Sequence, residues 1–373
     1  MFKKIDRRII AHFDYILIAL IVPLVLVSGM LIGEIVPALA KKHTVYVLVG
    51  IMVFIFFFLF PIRRFSWLIP IIYWLNIGLL IAVEFVGLSR LGAKRWLELP
   101  FINFTLQPSE LIKTAFILML AYLINKNPPP HDGYRLKDFL KLSFFILLPF
   151  LLIAKEPDLG TAMVLMLLGF GVLFVIGVYW KIWATIAVGL LLTAPLLYGQ
   201  LHEYQKKRIH DFLSEKPSYH VQQSIIAIGS GGFSGNSVEG STQTQMKFLP
   251  IASSDFIFAY VIERFGFVGG FLLVTIYASI ILHMFSTSWF STDYYIKVVS
   301  LSIAFLFFIY MSVNIAMTIG LAPVVGVPLP MFSYGGSSFV NFMIILAVLQ
   351  NLVAFRFTFY YNSDRRLIDP LEK

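Results

Sequence analysis

The 373-residue chain contains no cysteine. Disulfides and thiolate chemistry are therefore excluded, whatever the compartment. Charge is also scarce. Only 13% of the residues are charged, against about 25% in an ordinary soluble chain. Strictly alternating segments of about ten residues, the mark of a membrane β-barrel, are missing too. What is present is apolar surface: 59% of the residues are hydrophobic, and the mean hydropathy is +0.84. No water-soluble core hides that much. Helices satisfy their own backbone groups in lipid, so the composition implies an all-α polytopic membrane protein.

A bilayer crossing takes about twenty apolar residues. The pattern predicts ten spans, near 14–33, 43–62, 66–88, 108–125, 138–154, 158–179, 182–199, 256–285, 296–319 and 334–357. All lie in a single integral membrane domain over 1–373, and the long 200–255 loop sits between the seventh and eighth spans. Ala38-Leu39-Ala40 resembles a signal-peptidase site, but the run from Tyr15 to Gly33 exceeds a signal core and is read as an uncleaved first span. Basic residues gather in alternate connections. Lys3, Lys4, Arg7, Arg8, Arg63, Arg64, Lys126, Arg135, Lys137, Lys141, Lys181, Lys297, Arg356, Arg365, Arg366 and Lys373 all fall on one side. By the positive-inside rule both termini are cytoplasmic. The net charge of +9 is thus spent on orientation. No basic stripe of the kind nucleic acid requires is present.

Polar residues at the other face need reasons. Glu110 and Lys113 are three apart at a helix start, where they can pair. "KEPDLGTA" turns the chain at Glu156 and Asp158. Asp158 either caps the next helix or lines a cavity. Arg208 and His210 open the long loop. "GSGGFSG", Gly229–Gly235, either offers amides to a phosphate or is a flexible turn after a short amphipathic helix. "GLAPVVGVPLPMFSYGGSS", 320–338, holds three prolines and four glycines, so it cannot be regular helix. Ser333, Tyr334, Ser337 and Ser338 then stand at a helix start, either as an anion site or as packing. Asp255 stands at the mouth of the eighth apolar run. Local physics favours an N-cap or first-turn acid, with a functional carboxylate as the alternative. The convergence of both charge signs on one face suits an amphiphilic, phosphate-bearing substrate. It does not separate an enzyme from a transporter.

Taken in order, "RWLELP…QPSELIK", "EPDLGTA", "EYQKKRIHDFL", "SYHVQQSIIAIGSGGFSG", "TQTQMKFLP…DFIFA" and "PVVGVPLPMFSYGGSS" resemble the SEDS family (shape, elongation, division and sporulation) over nearly the whole chain. "TQTQMKFLP" and "PVVGVPLP" are more similar to the elongation branch than to the division branch. The resemblance implies the SEDS fold and a peptidoglycan glycosyltransferase. Such an enzyme polymerises lipid II outside the cytoplasmic membrane, beside a class B penicillin-binding protein and other elongation-complex membrane proteins. The essential aspartate of the family pattern LPExxTDF corresponds to Asp255. This chain has Ile251 in place of the glutamate and Ser254 in place of the threonine, so a scheme with two carboxylates does not apply.

Asp255 is therefore expected to act as catalytic base. Arg95, Glu110, Lys113, Asp158, Arg208, Ser333, Tyr334 and Ser337 are expected to line the substrate cavity. The chemistry admits a divalent cation, Mg2+ or Mn2+, although no ligand set is evident. A lipid II flippase and a scaffold for the wall-building complex are the competing readings.

Overall fold

A computed structural model of the chain describes residues 12–90, 93–99, 104–156, 158–199, 203–214, 218–249 and 251–356. The basic termini (Lys3, Lys4, Arg7, Arg8, Arg365, Arg366 and Lys373) lie outside the described residues.

The apolar runs become helices: α1 (Tyr15–Ile35), α2 (Pro37–Leu59), α3 (Ile69–Val86), α4 (Pro108–Lys126), α5 (Leu136–Lys155), α6 (Leu159–Ile176) and α7 (Trp180–Gly199). Three short helices follow, α8 (Glu203–Leu213), α9 (Tyr219–Gly231) and α10 (Thr242–Gln245). The last three are α11 (Ile257–Trp289), α12 (Tyr294–Thr318) and α13 (Gly336–Ala354). Their starts follow local chemistry. Asp14, Asp158 and Asp293 cap α1, α6 and α12 by accepting from Leu17, Thr161 and Tyr295 amides, and proline occupies the first turn of α2 and α4, where its missing N–H costs nothing.

Eight of the described helices are long and apolar enough to cross a membrane. The fifth and seventh expected spans are present as α5 and α7 but fall short of that measure. Lys137, Asp138 and Lys141 charge the start of α5, and α7 is apolar only over Trp180–Pro195. The second span starts earlier than expected, because Ala38-Leu39-Ala40 lies in the first turns of α2. The segment after α3, expected as loop, forms a small antiparallel sheet of β1 (Leu88–Arg90), β2 (Ala93–Leu99) and β3 (Phe104–Leu106).

Burial is inverted relative to a soluble protein on the outer helices. Leu191 is 77% exposed, and Leu26, Phe85 and Leu282 are similarly bare, as lipid-facing side chains are. Helices α4, α12 and α13 are mostly buried. Their apolar side chains form one cluster through the molecule. A second, smaller cluster of Ala227, Leu249, Ala252, Phe256 and Ala259 lies within the 218–259 segment. At the end away from that segment, Arg63 pairs with Asp293 and His283 with Asp14.

Helix α11 is broken at Gly266, which has φ 66°. The break frees amides, and the glycine-rich segment takes them. Phe267 N–H donates to the Gly232 carbonyl at 2.9 Å, and Val268 N–H to the Phe233 carbonyl at 3.3 Å. Asn236 N–H returns a bond to the Glu263 carbonyl at 3.0 Å. A Cβ on Gly235 would lie 2.4 Å from the Arg264 carbonyl oxygen, and one on Gly231 2.0 Å from that of Ile262. "GSGGFSG" is thus a turn after a helix, but a close-packed one rather than the flexible one expected, because it packs against the broken helix. Its carbonyls complete a broken helix, and glycine is required because two backbones touch.

Candidate active site

Three consecutive carbonyls hold the segment that carries Asp255. Tyr334 N–H donates to the Ser253 carbonyl at 2.9 Å. The Ser333 hydroxyl donates to the Ser254 carbonyl at 2.7 Å. Asn314 Nδ2 donates to the Asp255 carbonyl at 2.9 Å and to the Val327 carbonyl at 2.7 Å. Phe256 adds an apolar anchor. It is buried in the smaller cluster and stacked under the His220 ring. Asp255 itself is half-buried in the turn before α11, whose N-cap is Phe256, so it is neither the cap nor the first-turn acid expected from local physics; the helix starts one residue too late for that. A Cβ on Gly326 would lie 3.4 Å from its Oδ2. Partial burial pushes its carboxyl above the usual carboxylate range, and a hydrogen bond from Ser254 only partly opposes that.

One turn earlier on α12 than Asn314 lies Tyr310, whose hydroxyl accepts from Lys113 Nζ. Lys113 is 1% exposed. It also donates to Glu110 Oε1 at 2.7 Å and lies over the Tyr310 ring, 5.0 Å from its centroid. The sequence-predicted pair is therefore formed, and it is fully internal. Because Tyr310 and Asn314 share one face of α12, that helix connects the Lys113–Glu110 pair to Asp255.

The start of α6 closes a third side. Asp158 caps the helix through Thr161 N–H at 3.3 Å and also faces Arg95 of β2, 3.9 Å away. Of the two expectations for Asp158, the helix cap is the one observed, with an ion pair to Arg95 beside it. Arg95 Nε further donates to the Glu156 carbonyl at 3.2 Å. Burial, and then the neighbouring Asp158 charge, push the Glu156 carboxyl up to about 8, with Arg95 opposing. Gly160 packs against the Val325 carbonyl, so the α6 start abuts the same loop that touches Asp255.

The remaining expected residues divide. Ser333 has its hydroxyl engaged on both sides, since it accepts from Leu329 N–H at 2.8 Å as well as donating to Ser254. It holds the loop to the Asp255 segment. Tyr334 sets its ring against His43 and Tyr46. Ser337 lies in the first turn of α13, whose N-cap is Gly335. Arg208 is apart from the Lys113 pair. It borders a separate cavity of about 80 Å³ with Asp211, Ser218 and Pro323. Ile251 is 57% exposed at φ 55°, so the turn before Asp255 carries an exposed apolar side chain where the family pattern has an acid.

Two residues at the site escaped sequence reasoning, Tyr310 and Asn314. Asn314 had a signal, being an amide inside an apolar run. Among the described residues no three of His, Asp or Glu converge as a metal site. No step is derived through a divalent cation.

Comparison with known proteins gives the family and the fold. Residues 4–357 match the family described as cell cycle protein, FtsW/RodA/SpoVE. A peptidoglycan glycosyltransferase MrdB of Helicobacter pylori is 54% identical over 360 residues, which cover 96% of this chain and 94% of the relative. The Escherichia coli K12 protein of that name is 35% identical, covering 91% and 93%. Among solved structures, a chain from a peptidoglycan synthase complex aligns with a TM-score of 0.80. The rod shape determining protein RodA of Thermus thermophilus aligns at 0.70. Both are 24% identical and cover 92% of this chain and 98% of their own, which establishes the shared fold. The chain belongs to the FtsW/RodA/SpoVE family, that is, to the SEDS proteins.

Proposed function

We propose that this integral membrane protein is a peptidoglycan glycosyltransferase that polymerises lipid II into β-1,4 glycan strands, releases undecaprenyl pyrophosphate, and serves cell elongation and rod shape. The observation that carries the site assignment is the pinned turn. A half-buried carboxylate stands on a turn whose carbonyls are held by Ser333 and Tyr334 of one loop and Asn314 of α12, the helix that also receives Lys113 of the Lys113–Glu110 pair.

The donor is α-linked and the product β-linked, so the transfer is one direct displacement with inversion. Such a displacement needs a base at the acceptor. Asp255, with its pKa raised by burial, accepts the proton of the acceptor GlcNAc 4-hydroxyl as that oxygen attacks the sugar carbon. The bond from that carbon to the pyrophosphate breaks, and the electron pair leaves with the phosphate. Arg95, half-exposed beside Asp158, is the cation placed to stabilise the leaving charge. Lys113 is internal and keeps the cavity charge-balanced against Glu110.

Asp255 faces the outside of the cytoplasmic membrane of a bacterium, and both termini are cytoplasmic. Arg63, Arg64, Lys126, Lys137, Lys141, Lys181, Lys297 and Arg356 support this, lying at the opposite end in alternate connections. The partner is a class B penicillin-binding protein. Supporting that pairing, a structural neighbour comes from a complex described as coordinating polymerization and crosslinking.

The test is polymerisation of purified lipid II by the chain with its partner. Glycan polymer is expected. Transbilayer movement of labelled lipid II in proteoliposomes with no polymer supports the flippase instead.

A further inference from the structure

Asn314 lies inside α12 with 0% exposure, and glycosyl transfer as derived above makes no direct use of it. Its amide nitrogen donates twice, to the Asp255 and Val327 carbonyls. Carbonyls only accept, so the nitrogen must face them, and the orientation of the amide is settled by its partners. A hydroxyl has one donor and could hold only one of the two.

The three pinned carbonyls are not equivalent. Ser333 and Tyr334 tie the Asp255 segment to the 320–335 loop. Asn314 ties both that segment and that loop to α12. If the first two bonds are kept and Asn314 is lost, segment and loop can shift together against the helix. Helix α12 also carries Tyr310, which receives Lys113. Asn314 therefore sets the position of Asp255 relative to the Lys113–Glu110 pair.

We propose that Asn314 is a positioning residue for the transfer, fixing Asp255 and the Val325–Val327 loop as one unit on α12 so that the carboxylate meets the acceptor hydroxyl. This rests on the reading of Asp255 as the base.

The molecule supplies its own control. Asn351 on α13 makes the same double donation, to the Phe58 carbonyl at 2.6 Å and the Phe60 carbonyl at 2.8 Å, and is equally buried. It does so at the end of the bundle away from Asp255. The experiment compares Asn314→Leu, Asn351→Leu and Asp255→Asn with the unaltered protein, each purified with its partner. Lipid II polymerisation is measured across pH, and melting temperature is followed alongside.

Both leucine variants are expected to lose comparable stability. Asn314→Leu is expected to lower kcat about 100-fold, the effect of a displacement near 1 Å, while KM stays within about twofold. Its acid limb moves to lower pH, because a carboxylate released from burial titrates nearer its ordinary range. Asn351→Leu keeps the kinetics and pH profile of the unaltered protein. If Asn314→Leu does not fold, Asn314→Ser, which retains one donor, carries the test with a fall of about 10-fold. Kinetics of the Asn314 variant indistinguishable from those of Asn351→Leu, with Asp255→Asn inactive, overturn the positioning role alone. Normal polymerisation by Asp255→Asn overturns the base reading and the inference with it.

Discussion

The Ser333 hydroxyl donates to the Ser254 carbonyl at 2.7 Å across 79 residues of sequence, while accepting from Leu329 N–H. The bond from Leu329 is buried, the bond to Ser254 partly so, and Ser333 itself is buried. Ser333→Ala leaves the buried Leu329 donor unmet, at a cost of about 1–3 kcal/mol, and frees the partly buried Ser254 carbonyl at a smaller cost. Because Ser333 holds the Asp255 turn, kcat is expected to fall with little change in KM for lipid II. A rise in KM at constant kcat identifies Ser333 as a substrate contact instead.

The Lys113–Glu110 pair makes an asymmetric prediction. Lys113→Met strands an internal carboxylate and is expected to cost about 3–5 kcal/mol. Glu110→Gln with Lys113→Met removes both charges and is expected to recover most of that loss. The double variant remains impaired in polymerisation, because the tie to Tyr310 is gone. Thermal melts of the two variants and the unaltered protein, read beside polymer yield, check both statements.

The glycine contacts separate two positions of one motif. Gly235 has φ 82° and backbone where a Cβ would go, whereas Gly229 has open space around it. Gly235→Ala is expected to destabilise by more than about 1 kcal/mol, the usual cost of left-handed backbone for a non-glycine residue. Gly229→Ala lies in α9 and is expected to be neutral or slightly stabilising. Melting temperatures of the two variants decide this.

Asp255 links stability and activity with opposite signs. Burial raises its pKa, so the folded state favours the protonated acid. That contribution to stability is complete below the ordinary aspartate range and is lost as pH rises through the raised value. Polymerisation needs the ionised base and increases over the same window. Asp255→Asn is expected to flatten the stability profile there. Glu156 behaves likewise higher up. Its contribution is lost between its ordinary 4.5 and about 8, so Glu156→Gln is expected to hold stability better at the alkaline end. Melting curves across pH test both, and parallel profiles for variants and unaltered protein contradict them.

Most of the fold was legible because its signal is coarse. Apolar runs near twenty residues become helices wherever they occur, and an aspartate or proline marks where they start. The limits came where length and composition pull apart. Charges at the start of α5 and the short apolar stretch of α7 leave two expected spans below the measure the other eight meet. The glycine motif was ambiguous because nothing in its sequence announces the break at Gly266, some thirty residues on, that it exists to complete. At the site, the ionisable residues could be found by asking why charge stands at a membrane edge. Asn314 could not be ranked that way, since its value lies in two carbonyls, one 59 residues before it and one 13 after. Ser333 was visible as a hydroxyl near the cavity, but its direction was not.

The central claim is that Asp255 is the base. Asp255→Asn keeps the size of the side chain and removes its ability to take a proton. With the protein folded and its partner bound, the account predicts that purified lipid II is no longer polymerised by this variant. Polymerisation at the normal rate contradicts it.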